Sequence, residues 1–159
     1  WELVSRGQVD MIVTDHCDYK KAQKLAVNNF TKTPGGLPGT ETLLPLMATY
    51  GVAEGRLTWP ELVHMLAVMP SRIYNLWPRK GTVRPGADGD LVIFDPSFDG
   101  VITADDLHMV AGYTPYEGMH ARGRVVTTIR RGEFLVRDGQ FVGSLGSGKF
   151  VKRAPRFWD

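Results

Sequence analysis

Asp10-Met11-Ile12-Val13-Thr14-Asp15-His16-Cys17 puts a carboxylate, an imidazole and a thiol directly after an apolar run. Three apolar residues, two of them β-branched, lead to Asp15 with no turn residue between, the pattern of a short parallel strand buried on both faces. In a (β/α)8 barrel, a charged side chain at the C-terminal end of such a strand stands where the chemistry is done. Asp15 is therefore the leading catalytic candidate. The same residue also suits the ordinary task of capping the segment that follows, and this stretch by itself leaves both readings open.

A second candidate is the loop Pro34-Gly35-Gly36-Leu37-Pro38-Gly39, a dense turn signal. Glycines after a barrel strand let main-chain N–H and C=O groups come close to a ligand; a plain connecting loop uses the same residues. His16 reads as packing or as support for its neighbour. His64, His108 and His120 have no HxH or HExxH spacing and offer no self-contained metal site. Gly143-Ser144-Leu145-Gly146-Ser147-Gly148-Lys149 spells most of a phosphate-binding loop. Phe150 stands where the magnesium-binding Ser or Thr belongs, so a nucleotide site is rejected. In the tail, Phe150, Lys152, Arg153, Arg156, Phe157 and Trp158 interleave aromatic and basic residues. With no recognised RNA-binding module around them, docking on a neighbouring subunit is the expected role, since aromatics and Arg are enriched at interfaces.

These residues need elements to hold them. The chain has 159 residues and a net charge of +2. That is enough for one domain's core, without the charge bias that points to nucleic acid or a membrane surface. No apolar run reaches the roughly 18 residues of a membrane span. The single cysteine, Cys17, excludes an internal disulfide, predicts a reducing, cytoplasmic setting, and is expected to be a small buried thiol. A complete (β/α)8 barrel needs about 250 residues, and Trp1-Glu2-Leu3-Val4 reads as the second half of a helix, so the chain is expected to begin inside a domain.

Residues 10–14 are predicted as a strand and 21–27 as a short helix. A helix is predicted over 40–50, with Leu43, Leu44, Leu46 and Met47 on its apolar face and Gly51 ending it. Thr58-Trp59-Pro60-Glu61 reads as a capping box opening a helix that turns Leu62, Val63, Leu66 and Ala67 inward. Pro70 is expected to break that helix, with further helical turns over 71–76. From Lys80 onward short β-rich runs take over, at 81–83, 90–94, 125–130, 133–137 and 140–142, with hairpin turns at Arg131-Gly132 and Asp138-Gly139. Helices first and antiparallel strands afterwards point to two units meeting near residues 78–82, the second β-sandwich-like.

Taken in order, these motifs resemble one family. Thr14-Asp15-His16-Cys17 followed by Asn29-Phe30-Thr31-Lys32-Thr33-Pro34-Gly35-Gly36 is similar to the last barrel strand and following loop of the cyclic amidohydrolases. The segment from Lys80-Gly81-Thr82-Val83-Arg84-Pro85-Gly86 to Ala87-Asp88-Gly89-Asp90-Leu91-Val92-Ile93-Phe94-Asp95 resembles their re-entry into a β-sandwich. Tyr116-Glu117-Gly118-Met119, Arg131-Gly132-Glu133, Asp138-Gly139-Gln140-Phe141-Val142-Gly143 and Gly148-Lys149-Phe150-Val151-Lys152-Arg153 narrow the resemblance to the D-hydantoinase/dihydropyrimidinase branch.

That resemblance implies an α/β fold: residues 1–79 as the end of a TIM-like metal-dependent hydrolase barrel, 80–148 as part of a β-sandwich, and 149–159 as a tail. It implies hydrolytic ring opening of cyclic amides such as hydantoins or dihydropyrimidines by a dinuclear zinc enzyme, with this chain as its C-terminal third. Asp15 maps onto the family's last-strand aspartate, both metal ligand and proton shuttle, and the remaining ligands would lie upstream of Trp1. Gly35 and Gly36 fall in the substrate-binding loop, where relatives commonly present Pro-Asn-Gly and bind the substrate ring through main-chain atoms. The implied partners are a small cyclic amide and copies of the same chain in a tetramer, with no nucleic acid and no membrane. The Gly-Leu-Pro-Gly run keeps allantoinase- or dihydroorotase-type substrates open. A non-catalytic dihydropyrimidinase-related interaction protein is the other alternative; Asp15 argues against it, because those relatives replace this aspartate. By itself the 159-residue chain is expected to be inactive.

Overall fold

The computed structural model describes residues 1–153, so Arg156, Phe157 and Trp158 of the expected docking tail lie outside the described residues. Five short α-helices come first: α1 (Glu2–Ser5), α2 (Lys21–Leu25), α3 (Leu43–Met47), α4 (Trp59–Val63) and α5 (Met69–Ile73). Four strands follow, β1 (Leu91–Val101), β2 (His120–Arg130), β3 (Glu133–Arg137) and β4 (Gln140–Phe141), in one antiparallel sheet of order β1-β2-β3-β4. The class is α/β, as expected. A sandwich needs a second sheet, and the described residues form only one.

The helical part follows its local signals closely, with three corrections. The capping box forms: Glu61 N–H donates to Thr58 Oγ1 at 3.4 Å, and Thr58 N–H donates to Glu61 Oε2 at 2.7 Å. The Thr58 N–H foremost, and then the Thr58 hydroxyl, which donates to the same Oε2 at 2.7 Å, hold the Glu61 carboxyl below the usual carboxylate range. The helix buries Leu62 and Met65, while Val63, expected inward, is 54% exposed. Pro70 does not break it. A π-helical turn over His64–Val68 joins α4 to α5, and Pro70 sits in the first turn after it, where the hydrogen-bond register changes and a missing N–H costs least. Gly51 does not end α3 either. A π-helical segment over Ala48–Ala53 carries the helix past it, and Gly55, at φ +71, supplies the turn instead. Gly51 is a packing glycine: a Cβ there would lie 3.2 Å from Leu57 Cδ1 and 3.3 Å from the Trp1 ring.

In the sheet both hairpin turns form where expected. Arg131 and Gly132 have φ of 52° and 81°, Asp138 and Gly139 of 51° and 74°, two left-handed residues in a row as a type I′ turn requires. Residues 81–83 form no strand. Gly81 is instead pressed against the helix end, where an added Cβ would meet Ser71 Oγ at 2.3 Å. Lys80 beside it bridges Asp88 and Asp90. Burial alone pushes the Lys80 ammonium down, but the two carboxylates outweigh it and hold its pKa above the ordinary value.

Helices and sheet share one core. Thr49, buried in the segment after α3, accepts the β2 Arg122 N–H at 2.8 Å and donates to Pro45 O at 2.7 Å. Phe94 of β1 meets the Trp59 ring edge-on, with centroids 5.3 Å apart. It reaches across β2 only because Gly123 has no Cβ, which would lie 2.4 Å from that ring. Ala48, Leu57, Leu62, Met65, Ile102, Ala111 and Ala121 are the buried apolar residues among those described.

The segment ending at Asp15 is different. Residues 8–15 form no strand. A strand needs neighbours to take its N–H and C=O groups, and the described residues supply only one hydrogen bond to the apolar run, Ile12 N–H to Met65 O at 3.2 Å. The ladder begins one residue after Asp15, as a single parallel bridge between His16 and Leu37.

Candidate functional site

Asp15 lies exposed at the end of that segment, and among the described residues its carboxylate has no hydrogen-bond or ion-pair partner. The capping reading required such a bond to a nearby N–H, so the structure leaves Asp15 as an open carboxylate. No group of three or more His, Cys, Asp and Glu side chains able to hold a metal ion occurs among the described residues. His64 is exposed. His120 is paired with Asp99 at 2.6 Å and His108 with Glu41 at 2.7 Å. The His120 bond is the main reason the Asp99 carboxyl is held below its usual range.

The residues around Asp15 build the glycine loop. Cys17 N–H donates to Leu37 O at 3.0 Å, and Gly39 N–H donates to His16 Nδ1 at 3.1 Å. His16 thus supports the site by fixing the loop's far end. Cys17, half-buried, fixes its middle: Gly36 has φ +86, and a Cβ there would lie 2.4 Å from Cys17 Cβ and 2.5 Å from Sγ. Only glycine fits against the thiol. Gly35 contrasts with it, since a Cβ at Gly35 would meet nothing within 4 Å. The two glycines of the predicted substrate loop therefore divide the work, Gly36 braced inward and Gly35 presented outward.

Three further residues hold this region and carry no sequence signal for it. Lys24 of α2 donates from Nζ to Pro34 O at 2.6 Å and to Gly36 O. Glu41, just past the loop, accepts His108 N–H at 2.7 Å, and Asp18, just before α2, accepts Val110 N–H at 3.2 Å. The connection between β1 and β2 thus straps across both flanks of the site. An isolated Lys, Glu or Asp in a polar stretch looks solvated until its distant partner is known. Two concavities in the body, one lined by Val4, Leu57 and Met69 and the other by Val52, Trp59 and Phe98, reach neither Asp15 nor Gly35.

Comparison with known proteins identifies the family. The Amidohydrolase family profile matches residues 1–135. The chain belongs to that family. This amidohydrolase chain is 41% identical over 157 residues to the D-phenylhydantoinase of Escherichia coli strain K12 / DH10B, covering 98% of the chain and 34% of that protein. Among solved structures, D-hydantoinase (dihydropyrimidinase) from Thermus sp. superposes with a TM-score of 0.89 at 39% identity, over 96% of this chain and 34% of the other. D-hydantoinase from Bacillus sp. AR9 gives 0.93 at 37%, over 99% and 35%. L-hydantoinase (dihydropyrimidinase) from Arthrobacter aurescens gives 0.87 at 33%, over 96% and 34%. The chain spans about a third of the length of the relatives it matches.

Proposed function

We propose that this chain is the C-terminal third of a cyclic amidohydrolase that opens hydantoin- or dihydropyrimidine-type rings by adding water to a ring amide. The observation that carries the reading is an open carboxylate at Asp15, without a partner among the described residues, beside a glycine loop that presents Gly35, within a chain whose relatives are hydantoinases over nearly its whole length. In the complete enzyme residues 1–79 would close a (β/α)8 barrel and 80–148 would join a β-sandwich. The change from helices to strands after α5 supports that division.

Asp15 fits a metal centre as one oxygen donor, and the other donors would come from the rest of the barrel. Two zinc ions, when bound, would polarise the ring carbonyl and acidify the attacking water to a pKa of about 7. The chain's own groups have distinct tasks. The Asp15 carboxylate takes the proton of the attacking water and returns it to the departing amide nitrogen, so that one group serves as base and then acid. Gly35 offers its main-chain N–H and C=O to the ring, a recognition that depends on backbone position rather than on a side chain. D- and L-hydantoinases share this third of the fold, so stereochemical preference would be carried by other barrel loops. A cytoplasmic homotetramer completes the proposal.

The test is turnover by the complete protein. Purified with zinc and given hydantoin and dihydrouracil, it should consume one or both, seen as loss of the ring-amide absorbance. A folded, zinc-loaded protein that opens neither ring contradicts the proposal.

A further inference from the structure

Lys24 is the one half-buried residue of α2, and its position is tightly specified. Its helix starts at a turn closed by Lys20 N–H donating to Gln23 Oε1 at 2.8 Å. Lys21 N–H anchors the same turn to Ala111 O at 3.0 Å. The ammonium lies 5.6 Å from the centre of the Tyr19 ring and donates to the carbonyls of Pro34 and Gly36. These are the two carbonyls that flank Gly35. A lysine offers three N–H donors and no acceptor, so one cation can hold both carbonyl oxygens toward itself. The carbonyls on either side are pinned and Gly36 is wedged against Cys17, while Gly35 between them is exposed and a Cβ there would meet nothing within 4 Å.

We propose that Lys24 is a positioning residue for substrate binding: it fixes the Pro34–Gly36 backbone so that Gly35 meets a cyclic diamide already oriented. The inference rests on the cyclic-amide reading of the site. Lys24 touches neither substrate nor metal in this scheme, and its effect is one of preorganisation. A flexible glycine pair would otherwise lose its freedom on binding, weakening affinity without altering the chemical step.

The experiment uses the complete zinc-loaded enzyme with Lys24→Met, which keeps length and removes the donors, and Lys24→Arg, which keeps them. Backbone hydrogen exchange over residues 33–40 is measured beside kcat, KM and zinc content. The proposal expects Lys24→Met to raise KM about tenfold with kcat changed much less, the mark of lost uniform binding. Zinc content should be unchanged, exchange across Gly35–Leu37 faster, and Lys24→Arg should recover part of both effects. An unchanged KM overturns the proposal, as does unchanged exchange, and so does a fall in kcat that tracks loss of zinc. A wild-type enzyme that opens no cyclic amide defeats the reading of the site. Faster exchange in Lys24→Met would then still support the bracing role, and unaltered exchange would refute it.

Discussion

The β2–β3 hairpin and the segment leading to Asp15 are made from similar material, and only one of them is a strand. Val125-Val126-Thr127-Thr128-Ile129 and Met11-Ile12-Val13-Thr14 are both short runs rich in β-branched residues. The first pairs with β3 across a two-residue turn, so its partner follows in the chain and the ladder closes at once. The second reads as a parallel strand, whose partners are remote in sequence. Among the described residues it has one hydrogen bond and a single bridge beyond its end. Antiparallel structure is thus completed locally, while a parallel strand at the Asp15 segment would depend on what is brought to it. Val13 and Leu37, 52% and 55% exposed, mark the apolar surface this leaves open.

Stability measurements can break that comparison. If the helix–sheet body is self-supporting, damage should be most severe in its core, and in the site region it should appear only where a position is braced. The largest effect is expected for Leu62→Ala, which empties a fully buried position and should cost about 2–5 kcal/mol in thermal or denaturant unfolding. Gly36→Ala comes next, at about 1–3 kcal/mol, because φ is +86 and the Cys17 side chain occupies the space a Cβ needs. Gly35→Ala, with open space around it, should fall well below that. Equal losses at the two glycines would remove the distinction between braced and presented residues. Thr58→Ala should cost about 1 kcal/mol through the lost cap.

Acid titration sharpens the same contrast. Glu61, Asp88, Asp95 and Asp99 are all held below the usual carboxylate range, by hydrogen bonds from Thr58, Lys80, Ser97 and His120 respectively. Each therefore adds stability that is present above its unfolded pKa and lost as pH falls through its folded one. The unfolding midpoint should drop as pH is lowered below about 4.5. Lys80, held above its ordinary value, keeps its contribution until pH passes about 10.4. A midpoint flat through the acid range would mean that these bonds do not persist in solution.

What could be read from the sequence follows the same division. The Thr58–Glu61 box, both type I′ turns and strand β3 were legible because each is set by residues within a few positions of one another. Pro70 and Gly51 misled because their usual meanings were overridden, by a π-helical turn in one case and by a close approach of Trp1 and Leu57 in the other. At the site, Asp15 and the glycine loop were legible as types and spacing. The division between Gly35 and Gly36 was not, because it depends on where Cys17 lies. Lys24, Asp18 and Glu41 act through partners far along the chain, which spacing cannot reveal.

On the proposed function, Asp15 is kept for chemistry rather than for the fold. Being exposed and without a partner among the described residues, it should tolerate Asp15→Ala within about 0.5 kcal/mol of stability. The decisive measurement is ring opening by the complete zinc-loaded protein carrying that substitution, compared with wild type at equal assembly mass. The account predicts a loss of about a thousandfold or more, the scale of a missing acid–base group. Turnover retained within a few-fold would contradict it and remove Asp15 from the mechanism.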